Sequence, residues 1–461
     1  MPARIHSSRD DLRCRFLSAL LIAPLLSCLA LQPCRIQVVE ETSGWPVPLV
    51  QLSTTHHQKF VTDNAGNIAF GLPELMGEPT WFDIEGHGYV VKKDGFGMHG
   101  VRLTPTPGGH LTVKVKRQLP GRRLGRLTGA GLFAESQKLG LHQDWKEQHI
   151  PGCDSVQIAV HNKRIFWAWG DTTLARYPLG MFHMSSATTS LRPIKRFEPP
   201  IQLPFDYFQN EKGRPRVVAE MPGSGPTWVS GYTSLPDQEG NHHLVGTYIK
   251  VRPPLTAYEA GLCVWNEDTE NFERLKVIWE KSDNTPEPPL LPDGHPALWT
   301  NNEGKKWLLF GDPFPRFKCP PTFEAWKDPN RWIPLEPQEK VPTKDGKSIT
   351  PHRGSIAWSA FRGKWVSVFT QLYGDSSHLG EIWYVEADQP TGPWGPAIKV
   401  VTHNDYTFYN PRIHPELTDP ESPILLFEGT YTQQFAKDPD VTPRYDYNQI
   451  LYRIDLDTLS E

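Results

Sequence analysis

Two aspartates frame one short stretch of this chain. In DSVQIAVHNKRIFWAWGD, Asp154 opens an apolar-alternating run and Asp171 closes the run that answers it. Asp312 ends a second Gly-Asp pair, in HPALWTNNEGKKWLLFGD, and Glu428 stands in EGTYT near the C-terminus. Carboxyl groups gathered on a concave face can do acid–base work. Partial burial and like charge push their pKa values apart, so that one is held as an acid beside an anion. Cleavage of a glycosidic bond needs such a pair, one acid and one base or nucleophile. Gly-Asp at a strand end is also ordinary turn chemistry, in which the aspartate accepts from local N–H groups. Convergence of several acids favours chemistry for Asp154 and Asp171.

Cations and aromatics recur near the same places. His295, His352, Arg353, Arg412 and His414 lie at or near the starts of apolar runs. Arg353 and Arg412 could pair with a substrate carboxylate or sulfate, or could neutralise the acids. The histidines lack tight metal-ligand spacing, so no metal or other cofactor is expected, and bonding to sugar hydroxyls or to neighbouring blades fits them better. Trp228, Tyr409, Tyr431, Tyr445 and Tyr447 offer flat apolar faces with polar edges, suited to sugar rings or to packing. With Asn410 they complete the candidate binding set.

What must position these residues is a repeat. Five stretches share one layout: a strand-like run, a turn, a second run, a loop and a third run. They begin at Asp154, Thr227, His295, Arg353 and Asn410. The third runs are GMFHMSSATT, AGLCVWNEDT, TFEAWKD, GEIWYVEAD and NQILYRIDLD. Such a repeat predicts a five-bladed β-propeller. A propeller has fixed polarity, so residues opening first strands and closing second strands meet around the axis on one face.

The rest of the chain frames this repeat. Residues 35–117 alternate in period two and break at Gly-, Pro- and Asn-rich turns, which predicts a small β-sandwich. Residues 118–153 read as a connector, and GRLTGAGLFA within it as a strand that closes the ring. The stretch from Phe197 to Gly225 reads as a rim excursion. Residues 154–461 form the propeller, so the fold class is all-β. The 16 Trp, 14 Tyr, 21 Phe and 45 Pro suit short strands and turns, and a net charge of −4 gives no sign of a nucleic-acid surface. Residues 1–30 pair a charged stretch (Arg4, Arg9, Arg13, Arg15) with the run FLSALLIAPLLSCLALQ. That run is too short and Pro-interrupted for a stable membrane span and predicts an export signal, hence a secreted or periplasmic protein. LLSC, ending at Cys28, loosely matches a lipidation box, which leaves a lipid anchor open. Cys34, Cys153, Cys263 and Cys319 fit buried thiols or at most one disulfide. Oligomeric state is not legible.

Two resemblances add to this. PVPLVQL, TDNAGNIAF and GHGYV resemble the carboxypeptidase-regulatory-like domain, which implies a transthyretin-like sandwich before the propeller. DSVQIAV…WAWGDT resembles the paired aspartates of the endo-D-arabinanase group first catalogued as a domain of unknown function. GEIWYVEADQPTGPW resembles a blade strand of the arabinanase/xylosidase-type five-bladed propellers. These likenesses imply a glycoside hydrolase acting on a carbohydrate, with Asp154 and Asp171 in the acid/base or nucleophile roles. The Glu-Gly-Pro element that carries the acid in the arabinanase/xylosidase families is absent from a first-strand start, which leaves Asp312 and Glu428 as reserves for that role. A non-catalytic carbohydrate-binding propeller stays open, as does a polysaccharide lyase with Tyr409 or His352 as base and Arg353 neutralising a uronate.

Overall fold

The computed structural model describes residues 31–437 and 440–459. The expected export signal and lipidation box lie outside the described residues. Among the described residues, no helix is long and apolar enough to cross a membrane.

Alternating strands that bury one side chain in two need a second layer to cover them, and here two solutions occur. Near the N-terminus, Cys34–Glu40, with burial alternating at every residue, lies between Asn67–Phe70 and His110–Arg117. A second four-stranded sheet holds Gln51–Thr54, Lys59–Val61, Thr80–Glu85 and Gly100–Leu103. Ile36, Val38, Leu52, Phe70 and Phe82 fill the space between the two sheets. This is the β-sandwich expected over 35–117.

The second solution is the propeller. Five antiparallel four-stranded sheets follow one another along the chain. Blade 1 is Val156–His161, Arg164–Trp169, Ser185–Ser190 and Asp206–Tyr207; blade 2 is Thr227–Pro236, His242–Arg252, Thr256–Asn266 and Asn271–Glu280. Blade 3 is Ala297–Thr300, Lys306–Gly311, Pro315–Cys319 and Ile333–Pro334; blade 4 is Pro351–Ser359, Lys364–Gln371, Ile382–Ala387 and Ile398–Val401. Blade 5 takes Thr407–Ile413, Ile424–Thr432 and Asn448–Asp455 from the C-terminal end and Arg122–Arg126 from far upstream. That last pairing closes the ring and removes a free sheet edge.

Each neighbouring pair of blades shares its own apolar core. Phe166 meets Tyr232 and Phe272 between blades 1 and 2, and Leu262 meets Phe310 between 2 and 3. Leu309 meets Ile356 and Phe369 between 3 and 4, Val368 meets Phe408 and Phe427 between 4 and 5, and Trp167 and Trp169 meet Leu426 and Leu451 between 1 and 5. Hydrogen bonds near the axis complete the circle. Gly231 N–H donates to Gln157 Oε1, Gly294 N–H to Ser230 Oγ, Gly354 N–H to Asp312 Oδ1, Ile413 N–H to Ser355 Oγ and Ser155 N–H to Thr430 Oγ1. Every blade is thus tied to both neighbours by a hydrogen bond from its first or second strand or the residues flanking them.

Three local expectations change. TFEAWKD is not a third strand: Thr322 caps a short helix, Phe323–Trp326, by accepting from Ala325 N–H, and Pro315–Cys319 takes the strand place. The closing strand is Arg122–Arg126, which takes in only the start of GRLTGAGLFA; further on, Gly129 and Gly131 turn the chain instead. The excursion after Phe197 is partly sheet, because Asp206–Tyr207 forms the outer edge of blade 1. Cys34, Cys153, Cys263 and Cys319 are buried free thiols.

Candidate active site

Asp154 and Asp171 face each other across blade 1. Val156 pairs with Trp169, so one step further out Ser155 meets Gly170, and Asp154 meets Asp171. The Gly170 N–H donates to the Asp154 carbonyl at 2.7 Å, and the Asp154 N–H to the Asp171 carbonyl at 3.4 Å. Gly170 leaves the space that the Asp154 carboxylate fills. A Cβ at position 170 would lie 2.0 Å from Asp154 Oδ1.

The surroundings of the two carboxyls differ. Tyr409 Oη donates to Asp154 Oδ2 at 2.6 Å, and Tyr447 donates a second hydroxyl bond to the same carboxyl. Burial raises the Asp154 pKa above the ordinary carboxylate value, and the two tyrosine hydroxyls offset only part of that rise. Asp171 receives one donor, Trp228 Nε1 at 2.9 Å. Burial and then the charge of Asp154 push Asp171 up to about 7. Burial and the neighbouring aspartates also hold Tyr409 and Tyr447 far above the ordinary phenol range, so both remain donors.

The backbone around Asp154 is strained. Ser155, Asn410 and Tyr447 all have left-handed φ, 45°, 51° and 60°. A bulky tyrosine there is unusual, and such residues cost of order 1–3 kcal/mol each. The Asn410 amide donates to Ser155 Oγ, which ties two of them together.

A second cluster sits at the same end of the ring, on blades 3 and 4. Asp312 accepts from Arg353 at 2.7 Å with one oxygen and from the Gly354 N–H at 2.7 Å with the other. The carboxylate of Asp312 raises the Arg353 pKa. His295 is buried and its Nδ1 has no hydrogen-bond partner. Burial drives it down to about 4, so it is neutral at physiological pH. Burial and Arg353 likewise lower His352. Asp293 joins this cluster and was not among the sequence candidates. Burial and the charge of Asp312 raise its pKa, while Arg353 and Arg316 lower it. Arg353 and Asp293 are both solvent-accessible. The signal for Asp293 was the Asp-Gly before His295, which reads as a turn until its neighbours are known.

Other candidates lie elsewhere. Glu428 is not at a strand end but in the middle of Ile424–Thr432, opposite Arg412 and wholly buried. It is 3.1 Å from His414 Nε2, and burial pushes it up to about 8. Arg412, within the inner strand of blade 5, donates to Glu416 at 2.6 Å and to His414 Nδ1 at 3.0 Å. Tyr431 faces blade 4, because residues alternate between the two faces of a sheet and Thr430, which accepts from Ser155, faces blade 1. It stacks on Tyr406 at 4.2 Å and bonds His87 of the sandwich at 2.8 Å, so it is not a substrate contact. Tyr445 also serves the sandwich, donating to the Thr62 carbonyl at 2.7 Å.

No family model matches the chain, and no curated protein matches it in sequence. Several solved structures are similar over the propeller. An exo-1,5-α-L-arabinanase from a bovine ruminal metagenomic library is 11% identical, covering 66% of this chain and 94% of that one, with a TM-score of 0.38. A GH43_1 enzyme from Xanthomonas citri complexed with xylose is 10% identical over 66% and 86%, with a TM-score of 0.37. An arabinanase from Bacillus subtilis is 9% identical over 65% and 93%, with a TM-score of 0.33. At these values the likeness is loose.

Proposed function

We propose that the chain is a secreted glycoside hydrolase with Asp154 as base or nucleophile and Asp171 as acid. One observation carries this reading. Two opposed carboxyls meet at the paired strand ends of blade 1, one accepting from tyrosine hydroxyls and the other pushed up to about 7. Near neutral pH Asp171 keeps its proton in a large share of molecules and can give it to a leaving oxygen. The Tyr409 and Tyr447 hydroxyls favour the ionised form of Asp154, which acts on the anomeric carbon directly or through a water. Trp228 fixes the Asp171 carboxyl from the side. Asp312 has both oxygens engaged by Arg353 and Gly354, which suits a positioning role. Glu428 is sealed from solvent, which suits a structural one. Tyr409 spends its proton on Asp154, which speaks against its use as a lyase base. Secretion enters from the charged and apolar N-terminal run.

The test is a glycan panel assayed for new reducing ends, with Asp154→Asn and Asp171→Asn beside the unaltered protein. Asp154→Asn should lower turnover by about 10²–10⁴-fold with the melting temperature little changed. Asp171→Asn should recover on substrates whose leaving group needs no proton. Full activity in Asp154→Asn would overturn the mechanism. Binding without any turnover in the unaltered protein would favour a carbohydrate-binding propeller.

A further inference from the structure

The chain leaves Asp171 directly into a hairpin. Thr172–Leu174 pairs with Tyr177–Met181, and Gly152–Cys153 pairs with the other edge of Thr172–Leu174. At about 3.3 Å per residue, the tip stands about 10 Å from the acid pair. Arg176 is at that tip. A cavity of about 650 Å³ opens on one side, lined by Arg176, Lys212, Arg214 and His149. A second, of about 580 Å³, also touches Arg176 and runs past Phe182 and His183. The Phe182 carbonyl accepts from Trp228 Nε1 at 3.1 Å, the same N–H that bonds Asp171. The two cavities share Arg176, and Phe182 and Trp228 mark a path of residues from the second of them to Asp171.

Charge along this path runs against the rest of the molecule. The chain carries net −4, yet the lining cations are Arg176, Lys212, Arg214 and Arg216 against one acid, Glu220. Arg216 is occupied by Glu270 and Asn271. Arg176, Lys212 and Arg214 have no ion-pair partner among the described residues. Tyr177 and Phe182 add exposed rings, at 62% and 44% exposure, on which a sugar face can lie. Unpaired guanidinium groups beside exposed rings match a sugar that carries a carboxylate or sulfate.

We infer that this groove holds an acidic glycan, its anionic groups on Arg176, Lys212 and Arg214 and its cleaved bond at Asp154 and Asp171. This rests on the hydrolase reading for the cleaved bond only; the groove itself is tested by binding. The uronate and the sulfate ester share the chemistry, and the arms of the experiment separate them.

Affinity electrophoresis on Asp154→Asn protein would use gels containing polygalacturonate, a sulfated galactan, a neutral galactan or a single-stranded oligonucleotide. The expected result is retardation by one or both acidic glycans and not by the neutral one, falling about tenfold or more in Arg176→Gln/Lys212→Gln/Arg214→Gln. The single change Arg176→Gln serves if the triple variant melts early, and should weaken binding severalfold. Retention by polygalacturonate alone assigns a uronate, and by the sulfated galactan alone a sulfate ester. Equal retention by neutral glycan or oligonucleotide, or unchanged binding in both variants, would overturn the inference. Acidic-glycan binding by an unaltered protein that releases no reducing ends would sink the hydrolase reading and leave the groove standing.

Discussion

At the scale of single residues, the contrast between Asp154 and Asp171 is a matter of donors. Asp154 has two tyrosine hydroxyls and Asp171 has one indole N–H. Removing a donor from Asp154 should therefore show in a pH profile. A base works only when ionised, so the acidic limb of kcat/KM follows its pKa. Hydroxyl bonds to a carboxylate stabilise the anion and lower that pKa. Tyr447→Phe is expected to raise it and move the acidic limb upward by about one to two pH units, since a hydrogen bond to a charged group is worth ~1.5–3 kcal/mol. An unmoved limb would show that Asp154 is not the titrating base. The alkaline limb should fall near pH 7, where Asp171 loses its proton. In Asp171→Asn that limb should disappear from the residual activity.

At the scale of elements, Gly170 shows how a strand end makes room for a side chain. Its Cβ would collide with Asp154 Oδ1 and not with the sheet. Gly170→Ala should displace the carboxylate and cut turnover by an order of magnitude or more, because small misplacements of reacting groups are costly. Its melting temperature should change much less than its rate, which a thermal melt beside the assay would check. This residue also marks what was legible. The two Gly-Asp strand ends and the strand–turn–strand layout follow from period-two patterning and turn residues, and the pairings of Asp154 with Asp171 and of Asp312 with Arg353 grow out of them. Blade 3 broke the pattern because a Thr cap and a short helix outweighed the apolar alternation of TFEAWKD. Glu428 was misplaced because its strand runs on to Thr432, and Tyr431 because alternate residues of a strand face opposite sides of the sheet. Asp293 stayed hidden because only tertiary neighbours distinguish it from a turn aspartate.

Glu428 gives the element scale its own test. It faces His414, with Arg412 and Glu416 beside them. Its folded pKa, about 8, lies above its ordinary 4.5. Between those values the folded state holds the proton that the unfolded state has lost, so stability falls as pH rises through that window. Glu428→Gln keeps the shape and cannot titrate. Its melting temperature relative to the unaltered protein should therefore improve from pH 5 to about pH 9. A parallel pair of melting curves would show that Glu428 does not titrate in the fold.

For the whole molecule, the sandwich and the ring behave as one folding unit. The strand that closes the propeller, Arg122–Arg126, is bonded to Asn448–Asp455 on one edge. Its other edge is covered by the sandwich. Asn64 donates to the Arg126 carbonyl at 2.9 Å and accepts from the Arg126 N–H at 3.0 Å, imitating a strand partner. Arg123 is buried at the same seam. It donates to the Leu49 carbonyl at 2.8 Å, to the His87 carbonyl at 2.5 Å and to Tyr452 Oη at 3.2 Å. Leu49 itself joins the apolar core of blades 4 and 5. A spacer domain would melt apart from its neighbour; a domain that seals the closing strand should not. Calorimetry of the unaltered protein is expected to give one transition for both parts. Arg123→Ala leaves three acceptors buried without their donor and should cost about 3–5 kcal/mol, the scale of a broken buried charged network. That loss should lower the single transition as a whole, because the sandwich holds the last strand of the ring in place. Two separate transitions, with only the first moved by Arg123→Ala, would show that the ring closes without the sandwich.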